Sequence, residues 1–143
     1  MINYVVGFAF SRDKKDIVLI EKQKPDWQKG KFNGVGGKVD AEDGSPINAM
    51  VREFKEETGA ETIPEMWEHF ATLKFKDCNL YCFKMYSNVI YQCDTKEAEK
   101  IYRLAIDTAL GEFRRPLIPN LKVLIPMALD EDFKFAEIEA VIR

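Results

Sequence analysis

The stretch Ser45-Pro46-Ile47-Asn48-Ala49-Met50-Val51-Arg52-Glu53-Phe54-Lys55-Glu56-Glu57-Thr58-Gly59 decides how this chain is read. Ser45 is a favoured N-cap, and Pro46 suits the first helical position, where a missing N–H costs nothing. Gly59 stands where a left-handed residue ends a helix. The spacing therefore predicts a helix over Pro46–Thr58. Ile47, Met50, Val51 and Phe54 recur at i, i+3, i+4 and i+7 and form one buried stripe. At about 100° per residue, Glu53, Glu56 and Glu57 gather on the side away from that stripe.

A solvated polar face is the plain alternative for such a cluster, and two physical costs count against it. Like charges at these spacings repel by roughly 0.2–0.5 kcal/mol each. Glu56 and Glu57 also sit in the last turn, where the helix dipole disfavours anions by about 0.3–1 kcal/mol. Arg52 and Lys55 offset part of this, and a divalent cation offsets more. Hard carboxylate oxygens suit magnesium, with manganese as a substitute.

In front of the helix lies Gly30-Lys31-Phe32-Asn33-Gly34-Val35-Gly36-Gly37-Lys38-Val39. Adjacent glycines let a backbone approach a ligand closely. This segment ends a loop that begins at Lys22 and carries Pro25 and Trp27. Further out, Tyr4–Phe10 and Ile17–Glu21 are expected strands joined by a polar turn at Ser11–Asp16. Phe70–Phe75 and Leu80–Tyr86 follow, with Ile101–Ile106 as another candidate. Leu121–Leu129 has helical spacing, and Pro126 predicts a kink or an early end there. The tail from Phe133 to Ile142 fits helix or strand. Interleaved strands and helices predict an α/β sandwich, a mixed sheet between helices.

The 143 residues suffice for a single domain, expected over 1–143, and 46% hydrophobic with 31% charged residues is ordinary globular composition. No apolar run approaches the roughly 20 residues of a bilayer span, and the first residues do not resemble a signal peptide. A net charge of -3 argues against a general grip on a nucleic-acid polymer. Cys78, Cys82 and Cys93 lack zinc-site spacing and are expected as buried thiols in a reducing cytoplasm.

The glycine loop followed by Arg52-Glu53-Phe54-Lys55-Glu56-Glu57-Thr58-Gly59-Ala60 resembles the box of the Nudix hydrolase family, G-x5-E-x7-R-E-U-x-E-E-x-G-U, where U is bulky and apolar. The right half matches at every fixed letter, with Ala60 a small residue in the last U place. The left half carries one extra residue between Gly37 and Arg52. Counting forward puts Asp43 in the first glutamate place, and counting back puts Gly44 there. Glu42 or Asp43 is therefore expected to pair with Arg52. The resemblance implies a Nudix-type α/β/α sandwich with the box helix packed on the sheet. It further implies magnesium held by Glu53, Glu56, Glu57 and the Gly36 carbonyl. Family members often add a carboxylate from a later loop, for which Glu97 and Glu99 are the candidates, with Glu112 behind them.

The implied chemistry is attack of a metal-activated water on a diphosphate phosphorus, with Glu53 or a carboxylate of the later loop accepting a proton and Glu57 and Arg52 completing the catalytic group. Lys38 and Arg12 are candidates for touching phosphate. Lys31–Lys38 resembles the matching stretch of MutT-like nucleoside triphosphate pyrophosphohydrolases that act on oxidised purines. There the asparagine meets the base, so Asn33 is a base-reading candidate because an amide both donates and accepts. Asn120 is a weaker one, since it also fits as N-cap of the 121–129 helix. Phe32 and Trp27 are candidates for stacking on a base or for closing the core.

Motifs associated with relatives acting on NADH, ADP-ribose and dinucleoside polyphosphates are absent at their usual places, which leaves a nucleoside triphosphate. Hydrolysis of ADP-ribose or another nucleotide-diphosphate conjugate is the alternative. A non-catalytic nucleotide sensor of the same fold is a further reading, against which the intact helix glutamates count. An isoprenoid diphosphate isomerase would need a protonating residue that nothing positions. The expected partner is a small-molecule nucleotide, met by a monomer or homodimer.

Overall fold

The computed structural model describes residues 1–111 and 117–139. Eight strands form one sheet: β1 (Ile2–Phe10), β2 (Asp16–Glu21), β3 (Phe32–Asn33), β4 (Val35–Lys38), β5 (Glu68–Lys74), β6 (Cys78–Tyr86), β7 (Ile101–Ala105) and β8 (Ala136–Glu139). The main path runs β3-β2-β1-β6-β5-β8, with β4 paired to β1 and β7 to β2. The sheet is mixed: β1 runs parallel to β6 over its whole length, from Ile2 opposite Cys78 to Phe10 opposite Tyr86. That pairing carries the first strand two residues beyond its apolar run. Three α-helices, α1 (Pro46–Thr58), α2 (Ile106–Leu110) and α3 (Leu121–Leu129), and four short 3-10 turns complete the elements of the described residues.

Strand alternation sorts side chains onto two faces. Val6, Phe8 and Phe10 of β1 with Ile17 and Leu19 of β2 meet Leu121, Leu124, Ile125 and Ala128 of α3 in one core. Val5, Ala9, Val18 and Ile20 point the other way, onto Met50 and Phe54 of α1 and onto Trp67. The expected α/β/α sandwich is the architecture found.

The α1 boundaries match the expected span. Ser45 Oγ accepts from the Asn48 N–H at 3.3 Å, and Gly59 at φ 77 donates its N–H to the Lys55 carbonyl. Elsewhere the chain departs from its sequence pattern. Pro126 does not end α3, which continues to Leu129; burial of Leu124, Ile125 and Ala128 on either side outweighs the backbone bond the proline forfeits. Asn120 caps α3 by position only, because its side chain makes no cap hydrogen bond. The strand expected over Ile101–Ile106 stops at Ala105, and Ile106 begins α2. The tail resolves as strand, β8 lying parallel to β5. Glu112 and the tail's end at 140–142 lie outside the described residues. Cys82 and Cys93 are buried free thiols, but Cys78 at the start of β6 is only half-buried. Among the described residues, no helix is long and apolar enough to cross a membrane.

Candidate active site

The glycine loop becomes β4, laid antiparallel on β1 with Gly36 opposite Val6 and Gly37 opposite Val5. Each glycine is required by what lies against it. A Cβ on Gly36 would sit 1.9 Å from the Val5 carbonyl oxygen, so the close approach of the two strands excludes any side chain. A Cβ on Gly37 would sit 2.6 Å from Oε1 of Glu53. The Glu53 carboxylate thus lies directly over bare backbone, which is why it is not on the open face that helical spacing alone assigns to it.

Arg52 organises the start of this site. Its Nε donates to Asp43 Oδ1 at 2.7 Å and its Nη2 to Asp43 Oδ2 at 2.9 Å, a bidentate pair. Asp43, not Glu42, is the partner. The residue added before Arg52 is taken up in a 3-10 turn, Ala41–Asp43, closed by Gly44 in the left-handed conformation at φ 76. Asp40 caps this turn reciprocally with Asp43 and lies 3.4 Å from Arg52 Nη2. The same Nη2 donates to the Lys38 carbonyl at 3.1 Å. On its other side, Nη1 reaches Glu53 Oε1 at 3.1 Å and Glu56 Oε2 at 3.1 Å. The Asp43 carboxyl is held below its ordinary pKa, chiefly by the Arg52 hydrogen bonds.

One turn further, the charge balance reverses. Burial is the main cause that raises the Glu53 pKa, only partly countered by Arg52. Glu57 is pushed up to about 7, first by burial and then by the negative charges of Glu97, Glu53 and Glu99; Lys22 works in the opposite direction. Oε2 of Glu57 is buried and has no hydrogen-bond partner among the described residues. A buried acceptor without a donor, amid like charges, is a cost that a bound cation removes. Hard carboxylate oxygens at this point fit a divalent ion of the magnesium type. The side chains are not, however, gathered into a ready cage. Among the described residues, no group of three or more Asp, Glu, His or Cys is placed to hold a metal ion. Arg52 accounts for part of this, because it draws Glu53 and Glu56 to itself.

The remaining sequence candidates fall into three groups. Glu97 is exposed, with its charge close enough to act on Glu57. Glu99 is not free to join it. Both of its oxygens are engaged, one by Lys22 Nζ at 3.0 Å and the other by the backbone N–H groups of Gln23 and Lys24. Lys38 is exposed at the end of β4. Arg12 lies at the far end of β1, lining a different cavity with Trp67 and Tyr86, and is not part of this site.

On the other face of the sheet, Phe32 is fully buried and packs edge-on to Tyr102 at 5.2 Å. Its ring belongs to the core and is not available to stack on a base. Trp27 is 60% exposed and does offer an open face. Asn33 Oδ1 accepts from the Gly34 N–H at 2.8 Å, which leaves its amide N–H groups as donors. A parallel bridge between Phe32 and Leu117 and the Ile118 N–H bond to the Phe32 carbonyl bring the start of α3 beside β3. There Asn120 Oδ1 is buried and unpartnered among the described residues. Sequence reading missed Lys22 altogether. Its signal is the register of β7 on β2, Ile20 opposite Ile101, which when continued sets residue 22 opposite residue 99.

A family model described as NUDIX domain matches residues 1–115. No curated protein matches the chain in sequence. Among solved structures, a MutT studied from Aliivibrio salmonicida and Vibrio cholerae has a TM-score of 0.71 at 23% identity, covering 90% of this chain and 96% of that one. A MutT protein from Bacillus halodurans has a TM-score of 0.70 at 17% identity, covering 99% and 91%. The NUDIX domain of Shewanella oneidensis NrtR, solved with ADP ribose, has a TM-score of 0.70 at 18% identity, covering 88% and 84%. At these identities the likeness is one of fold.

Proposed function

The chain belongs to the NUDIX domain family, and from that premise we propose that it is a magnesium-dependent hydrolase of nucleotides carrying a diphosphate linkage. The substrate we favour is a purine nucleoside triphosphate, oxidised purines included, cleaved to the monophosphate and pyrophosphate. One observation carries the reading: the buried, unpartnered Glu57 oxygen on the helix whose Glu53 lies over Gly37. The buried carboxylates of Glu53 and Glu57, which burial disfavours as anions, are accounted for by a cation that the reaction also needs.

In this reading Glu53, Glu56, Glu57 and the Gly36 carbonyl hold the cation, with Glu97 contributing from the facing loop. Bound there, a divalent ion neutralises phosphate charge and lowers the pKa of an attacking water. Glu53 would take the proton from the attacking water as its oxygen bonds to phosphorus, and the P–O bond to the leaving group, pyrophosphate for attack at the α-phosphorus or the nucleoside monophosphate for attack at the β-phosphorus, would break. Arg52, pinned by Asp43, holds Glu53 and Glu56 beside the site until a cation draws them in, and Lys38 meets phosphate oxygens at the open end of β4. Asn33 offers donors to a base edge, and the unsatisfied Asn120 Oδ1 suits a ring N–H. A cytoplasmic setting, one domain over 1–143 and a monomer or homodimer complete the proposal.

The test is a panel of nucleoside triphosphates, ADP-ribose, NADH and dinucleoside polyphosphates with magnesium, scored by product identity. Monophosphate plus pyrophosphate from a purine triphosphate is the expected result. Preference for ADP-ribose over every triphosphate overturns the substrate choice and leaves the reaction class standing. Binding without any turnover overturns the enzyme reading in favour of a sensor.

A further inference from the structure

The segment 94–100 is tied to two separate parts of the molecule. At its start, the Asp94 N–H bonds to the Thr58 carbonyl at 2.9 Å and the Lys96 N–H to the Glu57 carbonyl at 3.3 Å, so it is fastened to the end of α1. At its far end it is fastened through Glu99 to the neck of the loop 22–31. That neck is closed by the Lys22 N–H on the Lys31 carbonyl at 2.9 Å and the Gly30 N–H on the Lys22 carbonyl at 2.8 Å. The exposed Trp27 stands on this loop. Glu97 lies between the two fastenings, and its charge acts on Glu57.

The Glu99–Lys22 pair is unlike the other lysine–glutamate pairs of the surface. Its side chains are 20% and 13% exposed, against 61% and 78% for Lys55–Glu61. Solvent and salt screen the second kind until little is left. The first kind is shielded, and its carboxylate also accepts from backbone N–H groups, a charge-assisted arrangement about twice as strong as a neutral one.

We infer that Glu99 is a positioning residue: it locks the loop 22–31 to the segment carrying Glu97, making the loop that bears Trp27 and the carboxylate facing Glu57 one mechanical unit. A ligand role for Glu99 would compete with the three donors from which its carboxylate already accepts. The inference rests on the proposed function for its consequence in catalysis, though not for the contact itself.

The experiment compares E99A and E99Q with E97A in two assays. The first is limited trypsin digestion of the metal-free protein, followed at Lys29 and Lys31 by mass spectrometry. Removing the carboxylate is expected to speed cleavage in this loop about tenfold, the loss of roughly one charge-assisted hydrogen bond, with cleavage tracking the open population. E99Q keeps one acceptor for the Gln23 N–H and serves if E99A does not fold; an intermediate rate is expected of it. E97A should cut at the wild-type rate. The second assay is hydrolysis with magnesium titrated: E99A and E99Q raise KM while the magnesium half-saturation stays within about twofold, and E97A raises the half-saturation. Unchanged loop cleavage in both Glu99 variants overturns the inference. So does a rise in magnesium half-saturation without faster cleavage, which would make Glu99 a ligand. If the protein hydrolyses nothing, the digestion still decides the lock, and only the proposed function fails.

Discussion

The substitution E57Q isolates the feature on which the proposed function rests. Glu57 has a pKa of about 7 in the folded chain against 4.5 as its ordinary value, with burial as the first cause. Such a gap makes ionisation cost about 3 kcal/mol, which water around the half-buried carboxylate reduces to about 1–2 kcal/mol. The folded state binds the proton more tightly, so this contribution to stability is fully present below pH 4.5. It falls as the pH rises towards 7 and is gone above it. The amide introduced by E57Q carries no charge to desolvate. In thermal unfolding at pH 8 without metal, E57Q should therefore melt about 3–8 °C above wild type. At pH 4, below the ordinary value, the two should nearly coincide. Millimolar magnesium at pH 8 should raise the wild-type Tm, because an ion that binds only the folded state stabilises it, and should raise that of E57Q far less. A wild type that melts at or above E57Q at pH 8 would refute the argument from desolvation. Equal magnesium stabilisation of both would remove Glu57 from the ligand set.

Two further perturbations separate architecture from site. D43N removes the charge from a carboxylate that is 6% exposed and bidentate on Arg52; we expect a Tm loss of about 5–10 °C at pH 7, from about 1.5–3 kcal/mol. The Asp43 pKa is lowered, so that stability is present above pH 3.8 and fades below it, and the gap between D43N and wild type should close in acid melts. A gap independent of pH counts against the ion pair as its source. The pair G36A and G37A should behave differently. The added Cβ of G36A meets strand backbone at 1.9 Å and should destabilise by at least about 1–3 kcal/mol. That of G37A meets the carboxylate end of Glu53 at 2.6 Å, a side chain that can turn aside where backbone cannot, so Tm should fall less than in G36A. Magnesium affinity, read by calorimetry, should fall about tenfold, and an unchanged value would dissociate Gly37 from the cation site.

What the sequence disclosed depended on how local the cause was. The ends of α1 are set by Ser45, Pro46 and Gly59 within the helix itself, and the observed span agrees with them to the residue. The separation of Val6, Phe8 and Phe10 from Val5 and Ala9 follows from strand alternation alone. Readings that needed a partner distant in sequence were less complete. Glu97 and Glu99 look alike on paper, two glutamates in one polar run. Only the antiparallel register of β7 on β2 shows that one of them is taken by Lys22. Phe32 reads equally as a stacking or a core residue, and the Leu117 bridge and Tyr102 decide for the core. Pro126 reads as a helix stop because local propensity says so, and tertiary burial overrides it.

The added residue before Arg52 lies between these cases. An extra residue in front of a helix could have moved the arginine's partner away, and counting along the chain does not say whether position 43 or 44 takes the place. The fold answers through turn geometry. Asp40 and Asp43 cap each other's backbone across a single 3-10 turn, and Gly44 reverses the chain in a conformation that disfavours side chains. That turn joins the strand Val35–Lys38 to the helix Pro46–Thr58 with Asp43 facing Arg52. The shorter aspartate then reaches both Nε and Nη2 of Arg52 because the turn delivers its backbone close to the helix. What the site has at that place is a carboxylate fork facing Arg52, and Asp43 supplies it from this turn.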